Sequence, residues 1–142
     1  MVTGLELIRS RMLDAAPHGM AQLLDMRVTA ADEGAVTLTA TPTRAHYNLI
    51  GVVHGGFAAT LLDSACGLAA VAGTRQPSRC LTLEIKVAYH AALTDQTGPV
   101  HAIGRVLKMG RRTAFTEARL EDAAGRLYAS ATSTLLIEPA ED

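Results

Sequence analysis

The 142-residue chain reads as an α+β protein, a six-stranded antiparallel sheet curled around one long apolar helix. Three observations predict this. Gly55 to Ala72 is an Ala- and Leu-rich run in which Asp63 is the only charged residue, so a helix here has almost no polar face and must be covered on nearly every side. Leu81, Leu83, Ile85, Val87 and Tyr89 alternate with Thr82, Glu84 and Lys86, the period-two pattern of a half-buried strand. The element order is two strands, the helix, then four strands, which a sheet wrapped around the helix accommodates.

Taken in order, Leu5, Leu7, Ile8, Met12 and Leu13 recur near helical spacing and predict a short amphipathic helix over 3–15, ended by Pro17-His18-Gly19. Leu23 to Ala31 and Ala35 to Thr41 read as two strands joined across Asp32-Glu33-Gly34, and Pro42 closes the second. The helix covers about 55–72, with Gly73 as its stop. After the loop Arg75 to Ser78 come the alternating strand and three more, at about 98–109, 112–122 and 126–137. Met109-Gly110 and Asp122 to Gly125 supply the turns. No repeat or linker intervenes, so 1–142 is expected to be one domain, with 1–18 as its N-terminal helix and turn.

A formal net charge of −1 leaves no basic footprint for nucleic acid. Tryptophan is absent, which argues against base stacking as well. Cys66 and Cys80 are too few for a disulfide framework and form no CxxC. Glu6, Arg9, Arg11 and Asp14 interrupt the first residues, so no signal-peptide core is seen there. Residues 55–74 approach the length of a membrane span, but Gly, Ala, Thr, Ser and above all Asp63 dilute them. The expectation is a soluble, cytoplasmic protein with neither a membrane nor a nucleic acid as partner.

The chemistry concentrates between Asn48 and Asp63. A carboxylate in an apolar helix is costly to bury without a reason. The Gly55-Gly56 pair places bare backbone at the helix start, where unpaired N–H groups and the helix dipole favour developing negative charge. Together they suggest acyl chemistry. The bland readings are a helix kink or a subunit interface for Asp63, close packing for the glycines, a loop or capping role for His54 and an ordinary β-favouring residue for Thr82. Gly51 and Gly56 have the separation of a phosphate loop, but Phe57-Ala58 stand where Lys-Ser/Thr is needed. No serine lies in a GxSxG elbow. His54 has no His or Cys at i+3 or i+4, so no metal is expected. Cys66 follows Asp63 by less than one turn and reads as plain core.

Asn48, then Gly51-x-x-His54-Gly55-Gly56, then Asp63 resembles the PaaI-like acyl-CoA thioesterases, the phenylacetate-pathway and human-type branch of the hot-dog fold. The similarity of element order runs from about Leu23 to Ile137. The resemblance implies hydrolysis of acyl-CoA, with an aryl-acyl or medium-chain group, to free CoA and a carboxylic acid, without a metal or organic cofactor. It implies that a backbone N–H at Gly55, or next to it at Gly56, polarises the thioester carbonyl. Asp63 then acts as general base or as nucleophile. Asn48 would orient water or the thioester oxygen, His54 would support the N–H donors, and Thr82 would stand near the carboxylate. Lys108, Arg111 and Arg112 at a hairpin, with Arg75 and Arg79 as rivals, are candidates for the CoA phosphates; a solvated turn is the plain alternative. A non-catalytic acyl-CoA sensor and a structural hot-dog subunit are the readings from other classes. A dehydratase or hydratase lacks its His-to-acid helix pattern here.

Spacing adds one constraint. Gly55 and Asp63 are eight residues apart, about 12 Å along one helix, and no single carbonyl reaches both at hydrogen-bond distance. If both act, they come from different subunits, which requires a dimer at least. The relatives' habit of stacking dimers leads us to expect a homotetramer.

Overall fold

The computed structural model describes residues 1–141. Helix α1, Gly4–Arg11, opens with a capping box: the Thr3 hydroxyl accepts the Glu6 N–H, and the Glu6 carboxylate accepts the Thr3 N–H at 2.7 Å. It is shorter than the helix expected over 3–15. The chain leaves the helix at Met12, turns through Asp14 in the left-handed region (φ 54°), and bridges Leu13 to Val28. The strand expected from Leu23 is also corrected, because a one-turn helix α2, Met20–Leu23, occupies its start. Leu23, Leu24 and Met26 do not alternate, and Asp25 (φ 49°) turns the chain before β1 begins at Arg27.

The remaining elements follow the expected order. β1 (Arg27–Asp32) and β2 (Ala35–Ala40) form a hairpin, and α3 (Gly55–Ala72) follows. β3 (Ser78–Tyr89), β4 (Val100–Met109), β5 (Thr113–Asp122) and β6 (Leu127–Pro139) complete the chain. All strand pairs are antiparallel, in the order β1-β2-β4-β5-β6-β3, so β1 and β3 are the edges. The inner face of the curled sheet packs Val36, Val100, Ala114, Leu120 and Leu135 into one core with Leu61, Leu62, Ala65 and Cys66 of α3. Small residues allow the helix to sit this close: a Cβ at Gly104 of β4 would overlap the Ala65 backbone carbonyl. This is the hot-dog fold that the element order implied. α3 is long and apolar enough to cross a membrane by length and composition, and here it is the helix inside the sheet.

The wrap is incomplete along one line. Thr60, Asp63, Ser64, Gly67, Leu68 and Val71 are only half-buried, and their three-to-four spacing puts them on one stripe of α3. The stripe lies at the gap between the sheet's two edges, where Val28 of β1 and Cys80 and Thr82 of β3 border the same cavity. The helix's one carboxylate is therefore at the place the sheet leaves open.

β3 corrects a third expectation. Its apolar residues do not share one face, because a bulge between Thr82 and Glu84 inserts Leu83 and reverses the parity. Cys80 and Thr82 face α3 before the bulge, and Ile85, Val87 and Tyr89 do so after it. Leu81 and Leu83 are left exposed.

Candidate active site

The loop before α3 is held from outside. The Tyr47 hydroxyl donates to Asp95 Oδ1 at 2.6 Å and Arg44 pairs with Asp95 at 3.1 Å; the Tyr47 hydrogen bond first, then Arg44, hold the Asp95 carboxyl below its usual range. Within this loop Asn48 Oδ1 accepts the N–H groups of Ile50 (3.0 Å) and Val52 (3.2 Å), around a turn that uses Gly51 at φ 88°. The side-chain oxygen of Asn48 thus shapes its own loop, and Asn48 borders neither cavity described below.

His54 caps α3. Its Nδ1 accepts the Gly56 N–H at 2.8 Å, which places the proton of the neutral ring on Nε2. His54 is itself fixed by its N–H to the His46 carbonyl at 2.8 Å, and the His46 ring stacks on Phe57. The consequence separates the two glycines. The Gly56 N–H is occupied, whereas among the described residues the Gly55 N–H has no hydrogen-bond partner. Gly55 is also sterically specified, since an added Cβ would lie 2.9 Å from the Tyr89 hydroxyl oxygen. That hydroxyl donates to the Gly55 carbonyl at 2.7 Å. Tyr89, His90 and Tyr128 join His54, Gly55 and Gly56 around a cavity of about 560 Å³. Sequence reasoning did not place these three there; only the fold brings the end of β3 to the start of α3.

Asp63 borders a second cavity, of about 360 Å³, on the open stripe of α3. The Thr82 hydroxyl donates to Asp63 Oδ1 at 2.7 Å, and Oδ2 has no hydrogen bond among the described residues. The surroundings are mostly apolar, with Met12, Ala21, Leu68, Val71 and Cys80, while Arg11, His18 and Arg27 supply polar groups that the sequence did not single out. Burial pushes the Cys80 and Cys66 thiols up to about 11, with the Asp63 charge adding to the effect at Cys66. Both are thiols, not thiolates, at neutral pH, and so are poor nucleophiles. Among the described residues no group of three or more His, Cys, Asp or Glu side chains is placed to hold a metal ion.

The structure therefore joins Thr82 to Asp63 and His54 to Gly56, and keeps the two pairs apart: the two cavities share no lining residue. Lys108, Arg111 and Arg112 flank the β4–β5 turn, which abuts β6 through the Ile137 N–H bonded to the Arg112 carbonyl. Arg75 lies in the turn after α3, and Arg79 on β3 pairs with Glu138 at 2.9 Å. None of these five basic residues borders either cavity of the single chain.

The sequence profile of the thioesterase superfamily matches residues 50–129, the stretch from the glycine-rich loop to the start of β6. No curated protein matches the chain. Among solved structures, a thioesterase family protein from Silicibacter pomeroyi is 28% identical, covers 87% of this chain and 91% of its own, and superposes with a TM-score of 0.78. A phenylacetic acid degradation-related protein from Ralstonia eutropha is 23% identical over 95% of this chain and 99% of its own, with a TM-score of 0.78. A Streptococcus mutans protein bound to acetyl-CoA is 22% identical over 82% of this chain and 91% of its own, with a TM-score of 0.74.

Proposed function

The chain belongs to the thioesterase superfamily and is a thioester hydrolase, and from that premise we propose that it cleaves acyl-CoA at a site built by two copies of the chain. The observation that carries this reading is on β3. Its first half holds Thr82, bonded to Asp63, and its last residue is Tyr89, bonded to Gly55. β3 is an edge strand of 12 residues with one side unpaired. Such an edge invites pairing. Antiparallel pairing of two β3 edges about a two-fold near Ile85 and Lys86 sets each Thr82–Asp63 beside the partner subunit's Tyr89–Gly55. The separation of Gly55 from Asp63 on one chain, and the two separate cavities, support the same arrangement. That pairing also carries Arg79 towards the partner's Ala91–Leu93, at the edge of its larger cavity, which gives Arg79 a route to the CoA phosphates, with Arg75 four residues earlier in the chain as the alternative.

In this site the thioester oxygen accepts the free N–H of Gly55 at the positive end of α3. Asp63 Oδ2, left open by the Thr82 bond to Oδ1, takes a proton from water as the water attacks the carbonyl carbon. Collapse of the tetrahedral intermediate breaks the C–S bond, and the CoA sulfur leaves with the proton from Asp63. The covalent route has Oδ2 attack the carbonyl, expel the thiolate and form an anhydride that water opens. Single turnover in ¹⁸O-water tests for the second route: direct attack labels only the released acid, whereas label recovered in Asp63 comes only from an anhydride opened at its aspartyl carbon. The reaction as drawn uses only a carboxylate, water and an N–H donor, so we propose no metal or organic cofactor. Assembly of two dimers through the outer sheet face is our reading of Leu81 (48% exposed), Leu83 (59%) and Phe115 (44%) there.

The test is thiol release from a panel of short, medium, long and aryl acyl-CoAs, read with a thiol-reactive dye. Release above background for medium or aryl esters supports the reading. No release from any ester contradicts it, and tight ester binding without release would make the protein a sensor.

A further inference from the structure

The cavity beside Asp63 is walled by the sheet edges β1 and β3 and, between them, by the segment that joins α1 to β1. We infer that this segment sets how much of the acyl group is buried, about ten carbons, an inference that rests on the acyl-CoA reading above. Met12, Ala15 and Ala21 come from the segment, Leu68 and Val71 from α3 and Cys80 from β3, and together they make an apolar chamber alongside Asp63. Asp63 and Val71 are eight residues apart on α3, so the chamber follows the helix for about 12 Å.

The wall is tied to β1 near its start and folds back on itself at its end. The Asp14 N–H donates to the Val28 carbonyl at 3.0 Å, and the Met26 N–H donates to the Ala21 carbonyl at 2.8 Å. Just before it, the Arg9 guanidinium donates twice to the Ala31 carbonyl (3.0 and 2.8 Å) and pairs with Asp32 at 2.9 Å. Arg9 thus ties α1, and Asp14 the start of the segment, to β1, so the wall is held beside the sheet edge. The chamber of about 360 Å³ holds roughly a dozen water-sized groups at about 30 Å³ each. With the carbonyl and the attacking water inside, space for about ten carbons is left. An octanoyl or phenylacetyl group fits within it, and the end of a hexadecanoyl tail projects beyond it.

The experiment uses equilibrium binding of S-alkyl-CoA thioethers, from ethyl to hexadecyl, measured by calorimetry. Thioethers are not hydrolysed, so the profile is independent of turnover. Affinity should rise by up to about fourfold per methylene, the value of burying one CH₂, and level off near ten carbons. Ala21→Leu fills the chamber and should lower the decyl-to-ethyl affinity ratio at least about tenfold. Met12→Ala opens it and should move the plateau to longer chains. Circular dichroism identifies which variants are folded, and either one alone decides. A wild-type ratio and plateau in a folded variant overturn the assignment of the wall. Failure of the hydrolase reading would show up elsewhere, as acyl-CoA left intact while the thioether profile still bends at the chamber's limit.

Discussion

Asp63 and Gly55 differ in how they can be tested, because one acts through its side chain and the other through its backbone. Asp63→Asn preserves shape and removes the base and nucleophile. Turnover should fall by at least about a hundredfold with little change in ester affinity, and steady-state kinetics beside thioether binding checks both halves. Thr82→Val removes the donor to Asp63 Oδ1. A hydrogen bond to a charged group is worth about 1.5 kcal/mol at the low end, so turnover should drop about tenfold, and an unchanged kcat would mean that Thr82 only fills space. For Gly55, the informative comparison is Pro with Ala. Both introduce a Cβ against Tyr89, and only Pro deletes the N–H. Hydrolysis should be lost far more completely in Gly55→Pro than in Gly55→Ala; equal losses would assign the position to packing.

Helix α3 and strand β3 show what the sequence could and could not convey. α3 was legible to its ends because glycines mark both: Gly55-Gly56 begins it and Gly73 ends it. Its unbroken apolarity, in turn, required a surrounding sheet. β3 was legible as a strand, but not in its facing, because the bulge at Leu83 arises from register with β6, a partner 50 residues away in the chain. Asp63 stood out as a charge in an apolar helix, whereas Tyr89 and the wall from Met12 to Ala21 look ordinary until the chain is folded. α2 was missed because one turn of helix is too short to show a period. The role of Asn48 in its own loop depends on a local turn conformation that spacing alone does not reveal. A stability prediction follows from the contact of α3 with β4. Gly104→Ala forces a Cβ into the Ala65 carbonyl, a backbone atom that cannot swing aside. Overpacking of this kind should cost about 3 kcal/mol or more, measured as a lowered urea midpoint.

For the whole molecule, a sheet with a bare 12-residue edge and apolar residues on its outer face should not stay a monomer in solution. Light scattering should give a mass of at least two chains, and four if the outer face also pairs. Lys86→Pro, placed mid-edge, should reduce the dimer and the activity together. The most direct measurement of the shared site is complementation. Asp63→Asn and Gly55→Pro subunits, each inactive alone, are mixed in equal amounts, and exchange is followed by native mass spectrometry. In a mixed dimer, one site carries both lesions and the other carries neither. With random exchange, half the dimers are mixed and each has one intact site of two, so activity should return to about a quarter of wild type. Confirmed mixed dimers with no more activity than the parent variants would contradict the account, and Gly55 and Asp63 could not then act on one thioester from two chains.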